Sequence, residues 1–203
     1  MLIFKTTTED GYDNGIRVIE PVVFKDDRGY FIESFNEAAY ELPVGKFVQD
    51  NESCSKAGTF RGFHYQTGQY AQAKLVRVVK GAVIDIVIDL RQSSKTFKKA
   101  YAFYLDENKK QQLFVPRGFA HGFIAKYDDT IFCYKCDNYY KKEAEAGVSA
   151  FDPEVIKLVE DADMTIAALT SKMKSLTSFT PEQYIVSEKD KLHPFLKDAL
   201  LFD

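Results

Sequence analysis

Between residues 16 and 136 the chain breaks into ten short runs rich in β-branched and aromatic residues, separated by Gly, Asp, Asn and Lys turns, with no helical run between them. These runs predict strands at 16–24, 30–35, 46–49, 59–66, 74–79, 82–90, 100–105, 111–115, 119–125 and 130–136. Strands that follow one another without crossover helices pair antiparallel, so the expected fold class is mainly β, a sandwich or barrel. A parallel nucleotide-binding sheet is disfavoured, and neither G-x-G-x-x-G nor G-x-x-x-x-G-K-[ST] occurs to support one. Within 82–90, Ala82, Ile84, Ile86, Ile88 and Leu90 form one apolar face, while Val83, Asp85, Val87 and Asp89 form a mixed one. That pattern suits a strand between a packed core and a wetter surface.

Beyond Asp152-Pro153 the composition shifts toward Ala, Leu, Lys and Met as far as about residue 176, which predicts an amphipathic helix. A second helix is expected from Ser187, where Ser187-Glu188-Lys189-Asp190 has capping-box spacing ahead of Leu192, Phe195, Leu196 and Leu200. With 203 residues, 45% hydrophobic, the chain reads as one domain: a β part over 15–153 and a helical appendage over 154–203. The N-terminus turns polar too early for a secretory segment, and no run approaches the ~20 apolar residues of a membrane span. A cytoplasmic protein with no membrane partner is expected. The net charge of −3 argues against a sequence-independent nucleic-acid binder, so an anionic ligand needs a local basic cluster. The three cysteines make no disulfide framework, and on a strand Cys133 and Cys136 point to opposite faces, away from a shared metal.

Three clusters could carry chemistry. In the first, Arg61-Gly62-Phe63-His64-Tyr65-Gln66 precedes Gln72-Ala73-Lys74-Leu75-Val76-Arg77. Strict alternation sets Arg61 and His64 on opposite faces, so both reach one cavity only if Gly62 marks a bulge that resets the phase. The second, Val115-Pro116-Arg117-Gly118-Phe119-Ala120-His121-Gly122-Phe123, is similar to the second motif of cupin barrels. Metal-binding cupins carry His-x-His and a Glu in their first motif; His64-Tyr65-Gln66 stands there instead, so no metal is expected. The third combines Tyr134-Lys135, Asn138-Tyr139-Tyr140 and Glu143 to Glu145. Its tyrosines either pack at a rim or supply an acid and a stacking ring. His193, before Pro194, reads as a surface residue in the last helix.

Taken in order, Phe24-Lys-Asp-Asp-Arg28-Gly-Tyr-Phe-Ile-Glu33-Ser, Gln49-Asp50-Asn51, Arg61-Gly-Phe-His64-Tyr-Gln, Gln72-Ala-Lys74-Leu-Val-Arg77, Pro116-Arg-Gly-Phe-Ala-His121-Gly-Phe, Tyr134-Lys-Cys-Asp-Asn-Tyr-Tyr140 and Ser187-Glu-Lys-Asp190 resemble the dTDP-4-dehydrorhamnose 3,5-epimerase family. The resemblance covers 15–153 and resumes at 187–190. It implies a cupin-type antiparallel β-barrel (jelly roll), here with C-terminal helices, working as a homodimer without metal or organic cofactor. The implied substrate is a dTDP-sugar: the reaction inverts C3 and C5 of dTDP-4-dehydro-6-deoxy-glucose on the way to L-rhamnose and cell-surface polysaccharide.

A C4 ketone acidifies the protons on C3 and C5, so such chemistry needs a base on one side, a donor or cation at the ketone oxygen and an acid on the other side. The resemblance assigns these roles to His64, Lys74 and Tyr134, with Asp190 as the carboxylate behind His64. For binding it implies Arg28, Arg61 and Lys74 at the diphosphate and sugar, and Glu33 and Gln49 toward the thymine or ribose. Asn51 and Glu145 become polar contacts, His121 touches the sugar and Tyr140 stacks on thymine. The chain departs from the family pattern at Glu52, where many relatives have His, and over 154–186, which the resemblance leaves unassigned. A C3-only epimerase or keto-isomerase, a metal-dependent cupin oxygenase and a non-catalytic nucleotide-sugar binding module stand as alternatives.

Overall fold

The structure is a computed structural model that describes residues 3–9, 12–162 and 179–203. Its strands are β1 (Ile3–Glu9), β2 (Tyr12–Glu20), β3 (Val23–Asp26), β4 (Gly29–Ile32), β5 (Gln49–Ser55), β6 (Phe60–Gln66), β7 (Lys74–Lys80), β8 (Ala82–Asp89), β9 (Ala100–Asp106), β10 (Gln112–Val115), β11 (Phe119–Ala125), β12 (Thr130–Cys136) and β13 (Glu145–Gly147). One sheet runs β1-β2-β10-β7-β12-β5, a second β13-β6-β11-β8-β9, and β3-β4 form a separate hairpin. Every ladder between these strands is antiparallel. The chain switches repeatedly between two facing sheets, which makes a jelly roll of the cupin type.

Packing explains why both sheets are so apolar. Val76, Leu113 and Phe132 of the six-stranded sheet meet Val83, Val87, Phe103, Phe119 and Phe123 of the other in the barrel interior. On the outside of the five-stranded sheet, Ile84, Ile86 and Ile88 pack against Val155 and Val159 of α1 (Pro153–Glu160) and against Phe179, Val186 and Leu196. A third cluster, Ile19, Tyr40, Ala73, Leu75 and Phe114, covers the outside of the six-stranded sheet. Strand β8 is therefore buried on both faces, and its mixed face is no wet surface. Asp85 and Asp89 are both at 0% exposure, the first against His121 and the second held by Arg91, Ser94 and Thr96.

The strand boundaries differ from expectation where the sequence lacks an apolar face. Pro21 cuts the 16–24 run into β2 and β3, because proline cannot continue the ladder. β5 begins at Gln49, where the expected strand at 46–49 ends, and its sequence Gln-Asp-Asn-Glu-Ser-Cys-Ser carries no hydrophobic stripe. Among the described residues it is an edge strand paired only with β12, so register alone defines it.

Helix α1 opens on Asp152, whose carboxylate accepts the Glu154 N–H at 2.9 Å and the Leu196 N–H at 2.6 Å, tying the cap to the C-terminal segment. Residues 163–176 of the expected helix lie outside the described residues. The helix expected from Ser187 is one turn, α2 (Glu188–Lys191), capped by the Ser187 hydroxyl. It stops because Pro194 excludes a helical continuation, so Leu192 stays 85% exposed instead of joining an apolar stripe. Among the described residues no helix is long and apolar enough to cross a membrane.

Candidate active site

Gly62 decides whether Arg61 and His64 share a cavity. In the β6–β11 ladder Arg61 pairs with Phe123 and His64 with His121, so Gly62 and Phe63 together face the single residue Gly122. This bulge resets the alternation, and Arg61 and His64 both line one cavity of about 480 Å³. Glycine is required on both strands. Gly62 has φ +145°, and a Cβ on it meets Gly122 Cα at 2.5 Å, while one on Gly122 meets the Arg61 carbonyl at 2.9 Å.

The cavity is walled by both sheets. His64 and His121 come from the five-stranded sheet, Lys74 and Tyr134 from the six-stranded one, and Ser187, Lys189 and Asp190 from the C-terminal segment. Asp190 is 126 residues from His64 in sequence, yet its Oδ1 lies 2.8 Å from His64 Nε2. An ionised carboxylate only accepts, so Nε2 carries a proton in this pair, and in the neutral tautomer Nδ1 is the nitrogen that keeps the lone pair. Burial pushes the Asp190 carboxyl up, but the hydrogen bond and charge of His64, the Gly62 N–H and the Ser187 hydroxyl bring it net below the usual range.

Beside this pair lies a second one, because Nε2 of His121 is 2.9 Å from both carboxylate oxygens of Asp85. Burial outweighs the attraction of Asp85 and lowers the His121 pKa, so this imidazole is neutral with its proton on Nε2. Burial likewise pulls the Lys74 ammonium below the lysine range against the opposing pull of Cys136 and Asp85. Lys74 Nζ stands 5.9 Å from the centre of the Tyr134 ring. Burial, together with Cys136, keeps the Tyr134 hydroxyl protonated above the usual tyrosine pKa, with Arg61 opposing.

Of the residues implied by resemblance, His64, Lys74, Tyr134, Asp190, Arg61 and His121 line the cavity. Gln49, Asn51, Tyr140 and Glu145 do not; they form a connected chain at its rim. Gln49 Nε2 donates to Asn51 Oδ1 at 3.0 Å, its Oε1 accepts the Tyr140 N–H at 2.9 Å, and the Tyr140 hydroxyl donates to Glu145 at 2.8 Å. Glu145 in turn pairs with Lys189, which reaches the cavity. Arg28 and Glu33 are not brought there. Arg28 sits on the β3–β4 hairpin with its side chain 90% exposed and paired to Asp26, and Glu33 follows that hairpin on the surface.

Three residues beside the cavity were not singled out from sequence. Asp85 was signalled only by its place in an apolar run, and Lys189 only by standing next to Asp190. The third, His193, is no surface residue: its side chain is 11% exposed, its ring packs edge-on to His64 at 5.4 Å, and its Nε2 lies 3.7 Å from Asp190 Oδ1. Cys133 and Cys136 do point apart, the first beside Glu52 on the outer face and the second buried under Asn51.

The chain as a whole is similar to proteins of known sequence and structure. The dTDP-4-dehydrorhamnose 3,5-epimerase of Escherichia coli (strain K12) is 44% identical over 158 residues, 76% of this chain and 83% of that protein. A crystal structure of dTDP-4-dehydrorhamnose 3,5-epimerase from Elizabethkingia anophelis superposes with a TM-score of 0.76 at 40% identity, covering 96% of this chain and 97% of the other. The dTDP-6-deoxy-D-glucose-3,5-epimerase of Legionella pneumophila, solved with dTDP-4-keto-L-rhamnose, superposes with a TM-score of 0.79 at 34% identity over 98% and 94%. The profile of the dTDP-4-dehydrorhamnose 3,5-epimerase family matches residues 14–198, and the chain belongs to that family.

Proposed function

We propose that this chain is an isomerase that inverts C3 and C5 of dTDP-4-dehydro-6-deoxy-glucose, supplying the keto-sugar from which L-rhamnose is made. One observation carries the proposal: the base and the acid come from opposite sheets of one cavity, His64 from β6 and Tyr134 from β12. Inversion at a carbon needs a proton removed from one side and returned from the other, which two facing walls provide and one wall does not.

His64 Nδ1 takes the proton from the carbon next to the ketone, and the electron pair of the C–H bond moves onto the C4 oxygen as an enolate. Asp190 holds the imidazole in the tautomer that makes this possible and stabilises the imidazolium that forms. The Lys74 ammonium meets the developing oxyanion, worth most where water is excluded. The Tyr134 hydroxyl then protonates the opposite face, and exchange with solvent resets both groups. Neutral His121, oriented by Asp85, contacts a sugar hydroxyl, and Arg61 and Lys189 supply the local positive charge that the acidic chain lacks overall. Gln49, Asn51, Tyr140 and Glu145 form the nucleoside rim, with Tyr140 as the stacking ring.

The natural partner is a second copy. The isolated β3–β4 ribbon exposes Phe24, Tyr30 and Phe31 at 61%, 53% and 68%, an arm that a two-stranded hairpin does not stabilise alone. It carries Arg28 away from its own cavity, and a homodimer covers the rings and gives Arg28 and Glu33 a cavity to serve. Residues 187–190 belong to the same functional unit as the barrel, because they complete its site. We place the reaction in the cytoplasm, where nucleotide-activated sugars are made.

Incubation with dTDP-4-dehydro-6-deoxy-glucose in deuterated water tests the reading. Deuterium enters C3 and C5; incorporation at neither carbon overturns it, and incorporation at C3 alone selects the C3-epimerase. Sedimentation at several concentrations tests the dimer, which a monomer throughout refutes.

A further inference from the structure

His193 is the buried group that the proposed reaction leaves unused. Its Nε2 is shielded from solvent and has no hydrogen-bond partner among the described residues, although buried imidazole nitrogens are ordinarily satisfied. It is also rigidly placed. The Pro194 carbonyl accepts the Ser149 N–H at 2.9 Å, and the ring lies so close to Gly147 that a Cβ there meets His193 Cε1 at 2.5 Å. This orphan nitrogen lies 3.7 Å from Asp190 Oδ1, the same oxygen that His64 Nε2 approaches at 2.8 Å.

We propose that His64, Asp190 and His193 form an inhibitory site for a borderline transition cation such as Zn²⁺, distinct from any cofactor role. Their three donor atoms lie within 4.8 Å of one another. Tetrahedral zinc with bonds of about 2.0–2.2 Å separates its donors by roughly 3.3–3.5 Å; the two separations from Asp190, 2.8 and 3.7 Å, bracket that spacing, and the two imidazole donors lie within 4.8 Å of each other. Two imidazoles and one carboxylate favour zinc over magnesium, which prefers oxygen. Asp190 is already oriented by the Gly62 N–H at 3.4 Å and by α2, and the cavity lined by His64 and Asp190 leads from solvent to two of the three ligands, with room for a fourth ligand on that side.

The inhibition follows from the imidazole tautomer. A metal on His64 Nε2 displaces the proton from that nitrogen, and a neutral imidazole then carries it on Nδ1, the atom the reaction uses as base. No net proton is released. Turnover is lost while the substrate site stays open, so kcat falls and KM holds; this kinetic consequence alone rests on the proposed epimerase reaction.

The test is calorimetric titration of the metal-stripped full chain with ZnCl₂, with MgCl₂ alongside, and the absorbance of the Co²⁺ form as a spectroscopic readout independent of activity. One Zn²⁺ binds per chain, Mg²⁺ does not compete, and Co²⁺ gives intense visible bands of tetrahedral geometry. His193→Ala and the volume-preserving His193→Gln each weaken Zn²⁺ at least about 10-fold and remove those bands. Zinc inhibition, scored against each variant's own metal-free rate and reversed by chelator, shifts by the same factor. Unchanged Zn²⁺ affinity in a folded His193→Gln protein, or absence of Zn²⁺ binding to the native chain, overturns the site. Tight zinc binding that lowers affinity for substrate instead of kcat overturns the tautomer mechanism.

Discussion

Replacing Asp190 by Asn removes one negative charge and changes almost nothing in volume. The carboxylate is 6% exposed, and its two oxygens serve different donors, Oδ1 the His64 Nε2–H at 2.8 Å and Oδ2 the Gly62 N–H at 3.4 Å. An amide has one oxygen and cannot satisfy both. If the oxygen faces His64, the tautomer survives but the bond is no longer charge-assisted, a loss of about 1–2 kcal/mol from a bond of ~1.5–3 kcal/mol. If the NH₂ faces His64, two donors oppose each other, and the ring answers by moving its proton to Nδ1, which abolishes the base. The first case costs about 10-fold in kcat and the second the ~10²–10⁴-fold of a lost general base, so kcat falls at least about 10-fold with KM nearly unchanged. Deuterium incorporation measured under single turnover checks the chemical step, and a thermal melt checks the fold. An Asp190→Asn rate within about threefold of the native rate refutes the dyad. The pH behaviour gives a second reading. The folded-state pKa of Asp190 lies below its ordinary 3.8, so its stabilising contribution is present above that value and lost as pH falls through the lowered one. The Asn variant lacks this acid loss.

The other groups make separable predictions. Lys74→Met lowers kcat by about 10²–10³, whereas its melting temperature holds or rises, because the depressed pKa means that the charged ammonium costs the fold stability at neutral pH. In the native chain the rate falls on the alkaline side as Lys74 loses its proton below the ordinary lysine value of 10.5, while Tyr134, with its pKa raised, stays protonated; an alkaline limb that survives Lys74→Met assigns it elsewhere. Tyr134→Phe slows reprotonation more than initial exchange, and equal loss of both argues against the acid role. Gly62→Ala places a Cβ 2.5 Å from Gly122 Cα at φ +145°, so stability drops by at least about 2 kcal/mol and turnover drops with it; a melting temperature within about 1 °C of native removes the need for glycine there. Ile86→Ala, in the layer under α1, costs about 2–5 kcal/mol by urea unfolding with the unfolding slope unchanged.

Legibility in the sequence followed the range of the interaction. Strands β6, β7, β8, β11 and β12 were readable to within a residue, because side-chain alternation is local and each carries an apolar face. β5 was not, since its inward residues Gln49, Asn51 and Ser53 are polar and face the cavity or its rim instead of the packed core, leaving no apolar alternation to read. The conditional statement about Gly62 shows the boundary sharply: alternation dictates that Arg61 and His64 converge only through a bulge, and only the ladder to β11 supplies it.

By itself, then, the sequence determined the antiparallel β class, the ordered motifs and the residue types able to run an enolate reaction. Tertiary structure decided which of them meet. Pairing across 126 residues set Asp190 behind His64, a buried strand set Asp85 behind His121, and a proline-stopped turn folded His193 into the site instead of onto a helix surface. Periodicity tells a side chain which face it takes. What lies opposite that face is a property of register and packing, both fixed by contacts far apart in the chain.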